Sequence, residues 1–258
     1  MISASLSGGL GNQMFQIACA LSYGLDNDFD VAFDLQAHKI GLQGFNAIKY
    51  KDNIYHNLKT AVNPVFKNKY DEPFFHYHPI PVVDDLILYG YFQSPKYFIH
   101  NQDYIRKIFK APELLENKLI NWLKSLNIQK SLLSLHIRMG DYLRFPDHHP
   151  FIGMNYIVKA LSHFDLSKYT VLVFSDDINW CKANLNIEDV IYVSGFEDYE
   201  QLYLMSYCDD HIISNSTFSW CGSFLNDKNK TVILPSTWFG KALNHDTSGF
   251  YLENYISF

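Results

Sequence analysis

From Leu132 to Leu234 the chain alternates short apolar runs with helix-length segments. The runs are Leu132–Ile137, Thr170–Ser175, Val190–Val193, His211–Ser214 and Thr231–Leu234. Helical segments fall between them near Asn155–His163, Asp177–Asn184, Asp198–Cys208 and Ser216–Asn226. Strands that alternate with helices of this length predict a parallel, doubly wound α/β sheet. In such a sheet the strand carboxyl ends share one edge, and ligands bind there.

Three strand ends carry chemistry. After Leu132–Ile137 comes a turn with His136, Arg138, Gly140, Asp141 and Tyr142, extended by Arg144 and a Pro-bounded loop with Asp147, His148 and His149. An arginine there can fork onto phosphate oxygens. Phe174-Ser175-Asp176-Asp177 ends the most apolar strand. Its carboxylates are placed to accept from a base amine or ribose hydroxyls, and equally to cap the next helix. Ser214-Asn215-Ser216-Thr217-Phe218-Ser219-Trp220 follows a strand and opens a helix. Hydroxyls and an amide at a helix start suit phosphate oxygens, although Ser and Thr are also ordinary caps. Each piece is weak alone. Their convergence on one sheet edge predicts a nucleotide diphosphate site.

The first half opens as strand (Ile2–Leu6), glycine-rich turn (Ser7–Gly11), helix (Asn12–Leu25) and strand (Asp30–Leu35). Gly8-Gly9-Leu10-Gly11-Asn12-Gln13 lets backbone approach a ligand just where a helix starts, or is simply a tight turn capped by Asn12. It lacks the third spaced glycine of a dinucleotide fingerprint and the Gly-Lys-Ser/Thr of a Walker loop. Residues 36–85 are irregular. Leu86–Phe92 reads as a strand, Lys96–Phe109 and Pro112–Leu126 as helices, with Pro112 suited to a first helical position. No repeat or low-complexity tract interrupts the chain. A domain boundary is expected near residue 128.

The 258 residues suffice for two small domains, and 48% hydrophobic with 19% charged content excludes a disordered chain. A formal charge of −6 gives no general attraction to nucleic acid or anionic membrane, so an anionic ligand needs a local positive site. Cys19, Cys181, Cys208 and Cys221 lack metal-ligand spacing and read as buried thiols of a reducing compartment. No stretch reaches transmembrane length, and Met1 leads directly into a strand. A cytoplasmic location is expected, compatible with peripheral association at the inner face of the membrane. On that ground the Asn215-Ser216-Thr217 sequon is not read as glycosylated.

Together the motifs resemble glycosyltransferase family 11, the α-1,2-fucosyltransferases, in its bacterial branch. The likeness runs in order through Gly8–Gln16, Gly90–Phe98, His136–Tyr142, Phe174–Asp177 and Asn215–Trp220. It implies an α/β, GT-B-type fold of two Rossmann-like domains facing a cleft. Residues 1–128 would form the acceptor-side domain with the GGLGNQ loop, and 129–258 the donor domain, whose last segment is a candidate to pack back on the first. The resemblance further implies inverting transfer of L-fucose from GDP-L-fucose to the 2-hydroxyl of an acceptor sugar, such as a galactoside, in lipopolysaccharide O-antigen synthesis. No metal or other cofactor is implied. The partners would be the nucleotide sugar and a glycan or lipid-linked glycan.

By the same likeness Arg138 holds the pyrophosphate and His136 contacts ribose or phosphate. Asp176 or Asp177 reads guanine or ribose. Ser214, Asn215, Ser216, Thr217 and Phe218 cradle the diphosphate. Gly9, Gly11, Asn12 and Gln13 approach fucose and phosphate. Arg138 is the expected catalytic charge, and Asp141 its neighbour, a base or an orienting group. Many family members carry a second arginine where this chain has Met139; Arg144 or Lys241 could replace its charge. Asp26-Asn27-Asp28 and Asp28-Phe29-Asp30 spell the metal-binding DxD of other glycosyltransferases, but solvated carboxylates at a helix-to-strand turn are common. The alternatives are a glycosyltransferase using another nucleotide sugar and a glycan-binding protein without catalysis.

Overall fold

The computed structural model describes residues 1–36, 46–228, 230–252 and 254–258. The chain divides into two units, Met1–Pro112 with Asp246–Phe250, and Glu113–His245 with Tyr251–Phe258.

The second unit is built on six parallel strands, β4 (Ser131–Ile137), β5 (Tyr169–Ser175), β6 (Val190–Tyr192), β7 (Asp210–Ile212), β8 (Val232–Leu234) and β9 (Tyr255–Ser257). Their order is β6-β5-β4-β7-β8-β9. Counted from β4, this is the Rossmann order, which reverses between β4 and β7. Leu133 and Leu135 of β4 and Val171–Phe174 of β5 are fully buried, as a parallel sheet covered on both faces requires.

Helices connect the strands: α4 (Gly153–Leu161), α5 (Ile178–Asn184), α6 (Asp198–Ser206) and α7 (Thr217–Leu225). Tyr156, Ile157, Ala160 and Leu161 line the buried face of α4, which packs into the core around Leu133, Leu135 and Val173. α6 starts with a reciprocal capping box between Glu197 and Glu200. It lies close on α7 because Gly222 carries no side chain; a Cβ there would stand 3.0 Å from Met205 Cβ.

Helix α3 (Glu113–Ser125) belongs to this unit, so the division falls at Pro112/Glu113 rather than near residue 128. Lys118 pairs with the buried Glu200, and Trp122 packs edge-on to Phe196 with ring centroids 4.9 Å apart. Pro112 stands just ahead of the helix.

The first unit has a parallel sheet of β1 (Ile2–Ala4), β2 (Asn68–Asp71) and β3 (Leu86–Tyr89) in the order β1-β3-β2. Helix α1 (Leu10–Asp26) is buried along nearly its whole length. The expected strand Asp30–Leu35 is reduced to single bridges, Ile2 with Val31 and Phe33 with Thr60. Its partner changes within two residues, so no ladder forms. The expected helix Lys96–Phe109 is broken. Pro95–Tyr97 and Ile99–Asn101 are 3-10 turns separated by Phe98 at φ −146°, and α2 occupies only Gln102–Ile108. Of the irregular stretch 36–85, residues 37–45 lie outside the described residues.

Candidate functional site

The site candidates of the second unit gather at the switch point between β4 and β7. Beyond β4 the chain turns through a 3-10 segment, Gly140–Leu143. Arg138 Nη2 pairs with Asp141, and Arg138 Nη1 lies 3.1 Å from Asp176 Oδ2 at the end of β5. Asp176 Oδ1 also accepts from the Met139 backbone N–H at 2.9 Å. The guanidinium is thus held by two carboxylates, about one-third of the Arg138 side chain remains exposed (34%), and its carbon stands 5.5 Å from the Tyr142 ring centroid. Gly140 permits the crossing of the two loops: a Cβ on it would lie 2.4 Å from Asp176 Oδ2.

His136 points from β4 toward β7, with Nδ1 2.8 Å from Ser214 Oγ. Its ring stands 5.7 Å from that of Phe218. Burial, and secondarily the charge of Arg138, lowers the His136 pKa from 6.5 to about 3. The ring is therefore neutral, a polar contact rather than a cation. The Tyr142 hydroxyl donates to Asn215 O at 2.9 Å, tying the Arg138 turn to the loop after β7. Burial pushes that phenol well up, which keeps it a donor. Asn215 Nδ2 donates to Pro150 O at 3.1 Å and Trp238 O at 3.0 Å, while Asn215 Oδ1 is buried and finds no hydrogen-bond partner among the described residues. Ser216 is the N-cap of α7 but its side chain makes no cap bond, and Thr217 opens the helix.

One residue of the loop after β5 separates from the group. Asp177 caps α5, its side chain accepting from Trp180 N at 2.9 Å, the capping role its position allowed. Met139, 4% exposed, packs into the core with Ile137 and Ile157 and presents nothing to the sheet edge. Lys241 pairs with Asp147 at 3.3 Å. Two bonds across the edge had no sequence signal. His136–Ser214 and Tyr142–Asn215 each join residues more than seventy positions apart.

In the first unit the glycine loop is braced by buried amide side chains. Gly8 has φ +76°. Gly9, not Asn12, is the N-cap of α1. Gln13 is buried, its amide donating to Gly8 O at 2.9 Å and its oxygen accepting from the Tyr55 hydroxyl at 3.1 Å. Gln16 closes the loop from the other side, accepting from Ser7 N at 2.9 Å. Asn12 Oδ1 accepts from Gln93 Nε2 at 2.8 Å.

Of the three DxD carboxylates two are engaged by the fold, Asp26 by His100 Nε2 at 2.8 Å and Asp30 by Lys59 at 2.9 Å, while Asp28 is exposed on the turn between them. Among the described residues no group of three or more His, Cys, Asp or Glu is arranged to hold a metal ion. All four cysteines are buried thiols. Among the described residues no helix is long and apolar enough to cross a membrane.

A Rossmann-order sheet with a clamped arginine at its switch point places the candidate residues where open α/β sheets bind their ligands. The fold narrows this further. Fucosyltransferase NodZ from Bradyrhizobium matches at TM-score 0.57 and 15% identity, covering 87% of this chain and 93% of that one. The GT-B-type α/β fold is thus shared with fucosyltransferases. The profile of glycosyl transferase family 11 matches residues 1–257, and the chain belongs to that family. It is 30% identical to the Escherichia coli O-antigen biosynthesis glycosyltransferase WbnK, covering 91% of this chain and 93% of that one. It is also 27% identical to an Escherichia coli α-1,2-colitosyltransferase, covering 93% and 92% respectively. The protein is a glycosyltransferase.

Proposed function

We propose that the protein transfers L-fucose from GDP-L-fucose to the 2-hydroxyl of an acceptor sugar, a galactoside of a surface-glycan repeat unit, with inversion at the anomeric carbon. The observation that carries this reading is Arg138, held between Asp141 and Asp176 at the switch point beside the Ser214–Thr217 loop. Of the five N–H donors of a guanidinium, some remain for phosphate oxygens. The family supports the donor class, and NodZ α-1,6-fucosyltransferase, whose structure soaked with GDP-fucose matches at TM-score 0.52, supports the nucleotide.

In this reading the diphosphate lies over Arg138, Ser214, Ser216 and Thr217 in the donor unit. GDP leaves as charge builds on its β-phosphate, and the anomeric carbon gains oxocarbenium character. Arg138 and backbone N–H groups oppose that charge. Asp141 acts by aiming the guanidinium. His136, being neutral, donates or accepts a hydrogen bond at ribose or phosphate without adding charge. Gly9, Gly11, Asn12 and Gln13 serve the sugar side through the backbone. No metal is required, and the acceptor is a lipid-linked glycan met at the inner face of the membrane.

A second reading has one specific support, the colitosyltransferase among the relatives: the same scaffold carrying a different deoxysugar. The deciding measurement is a thermal-shift panel of GDP, UDP and CMP followed by product analysis. GDP should stabilise the wild type and far less the Arg138→Ala variant. That variant should lose about 10²–10³ in rate, as for a major charge-stabilising donor. Transfer should persist in EDTA. Stabilisation by UDP or CMP alone would sink the fucosyl reading. GDP stabilisation with no fucosylated product would favour the second one.

A further inference from the structure

All three strands of the first sheet end at one edge because every pairing is parallel. Two side chains stitch the loops that leave it. Gln93, after β3, donates to Asn12, after β1. Glu72, directly after β2, accepts through Oε2 from the backbone N–H groups of Tyr91 (2.7 Å) and Phe92 (3.0 Å). The turn so held is strained. Phe92 has φ +50°, unfavourable for a bulky residue, and its ring is fully buried against Tyr97 at 5.4 Å. A Cβ on Gly90 would lie 2.3 Å from Glu72 Cβ. With Phe92 turned inward, Tyr91 is left facing out, 45% exposed.

The segment after Glu72 repeats the arrangement. Phe75 stacks on Phe250 and is partly buried, while Phe74, His76 and His78 are exposed, as is Tyr77 although its ring packs on Tyr97. Phe74 and His76 lie parallel, with centroids 5.1 Å apart and planes 8° apart. Among the described residues Glu72 Oε1 and Ser94 Oγ are buried and find no hydrogen-bond partner. Residues 72–78 and 90–94 contain no lysine or arginine, so a pyrophosphate finds no cation on them. Exposed rings beside polar groups suit a ligand with an apolar C–H face and many hydroxyls.

We propose that this edge of the first unit is the acceptor-saccharide subsite, with Tyr91 and the Phe74–His76 pair offering ring faces to the sugar and Glu72 positioning the turn that presents Tyr91. The assignment rests on the fucosyl-transfer reading and adds the residues that choose the acceptor.

The test uses the full chain, GDP-fucose, and a panel of methyl β-galactoside, methyl β-glucoside and methyl N-acetyl-β-galactosaminide. Tyr91→Ala and Phe74→Ala should each raise the acceptor KM about tenfold, the scale of one lost ring contact. The GDP-fucose KM and the thermal shift given by GDP should stay at wild-type values. Glu72→Ala should reproduce the Tyr91→Ala effect. Glu72→Gln, which keeps an oxygen for the two N–H groups, should restore most of the acceptor KM. A purely structural Glu72 would instead lower Tm and leave the acceptor KM unmoved. Unchanged acceptor KM in both Tyr91→Ala and Phe74→Ala overturns the subsite; these two side chains are exposed, so the test survives if Glu72→Ala does not fold. A wild type that stabilises with GDP yet transfers fucose to none of the panel fails the fucosyl-transfer reading on which the subsite rests, a result distinct from unmoved acceptor KM values. Absence of any GDP shift fails the donor reading itself.

Discussion

Asp176 grips Arg138 and the backbone beside it at once, one carboxylate oxygen 3.1 Å from Arg138 Nη1 and the other 2.9 Å from the Met139 N–H. The pair fixes both the guanidinium and the turn from which it projects. Asp176→Asn keeps an acceptor for the N–H but drops the charge, so GDP affinity should fall while Tm changes little. Asp176→Ala strands the N–H as well, and should add about 1–3 kcal/mol of destabilisation. Thermal melts with and without GDP separate the two effects. Equal behaviour of both variants would show that the Met139 bond is inconsequential.

Met139 stands where many family members carry a second arginine, and here its side chain is core. It is 4% exposed and packs with Leu135, Ile137 and Ile157. Met139→Arg should therefore not add a cation to the site. It should bury one, at a cost of several kcal/mol, whereas Met139→Leu should cost less than about 1.5 kcal/mol. A Met139→Arg protein that melts like the wild type and binds GDP more tightly would contradict this.

The second unit was largely legible because its central strands are buried on both faces and its edge strand β6 is still apolar. Such strands read as continuous apolar runs, and β4, β5, β6 and β8 each begin or end within two residues of the runs in the sequence. β2 was not legible: Asn68-Lys69-Tyr70-Asp71 is a polar, mostly exposed edge strand without alternation. Nor was β9, only three residues long near the chain's end. At the site, the sequence pointed to the strand ends but not to the pairings. Asp176 and Asp177 are indistinguishable as letters, yet one clasps Arg138 and the other caps α5. Glu72 gave no signal at all, because its partners are backbone N–H groups nineteen and twenty residues away.

Two buried histidines give the protein a defined acid response. Burial, aided by Arg138, lowers His136 to about 3, and burial, aided by Lys230 and Lys228, lowers His211 to about 3. His211 is enclosed by Ser134 Oγ at 2.7 Å and Asn226 Nδ2 at 3.0 Å. Unfolded, each ring takes up its proton near pH 6.5; folded, not until about pH 3. The stability of the neutral rings is complete above pH 6.5 and is lost as pH falls toward 3. Each histidine contributes a slope of about 1.4 kcal/mol per pH unit in that window. Urea melts between pH 7.5 and 4.5 should show this fall, flattened in His211→Gln. An identical slope in that variant would remove His211 from the account.

Gly140 offers a test of the clamp that leaves every charged group in place. A methyl on it would meet Asp176 Oδ2 at 2.4 Å, so Gly140→Ala must push the carboxylate off Arg138 or shift the turn. The expected cost is about 1–3 kcal/mol of overpacking, with a reduced GDP shift. The penalty is specific to one partner. In an Asp176→Ala background the space is open, and Gly140→Ala should cost almost nothing further. The two substitutions should therefore be strongly non-additive in a double-mutant cycle read by both Tm and GDP shift. Additive losses would mean that Gly140 serves the backbone turn alone, and that the approach of the two loops does not set the position of Arg138.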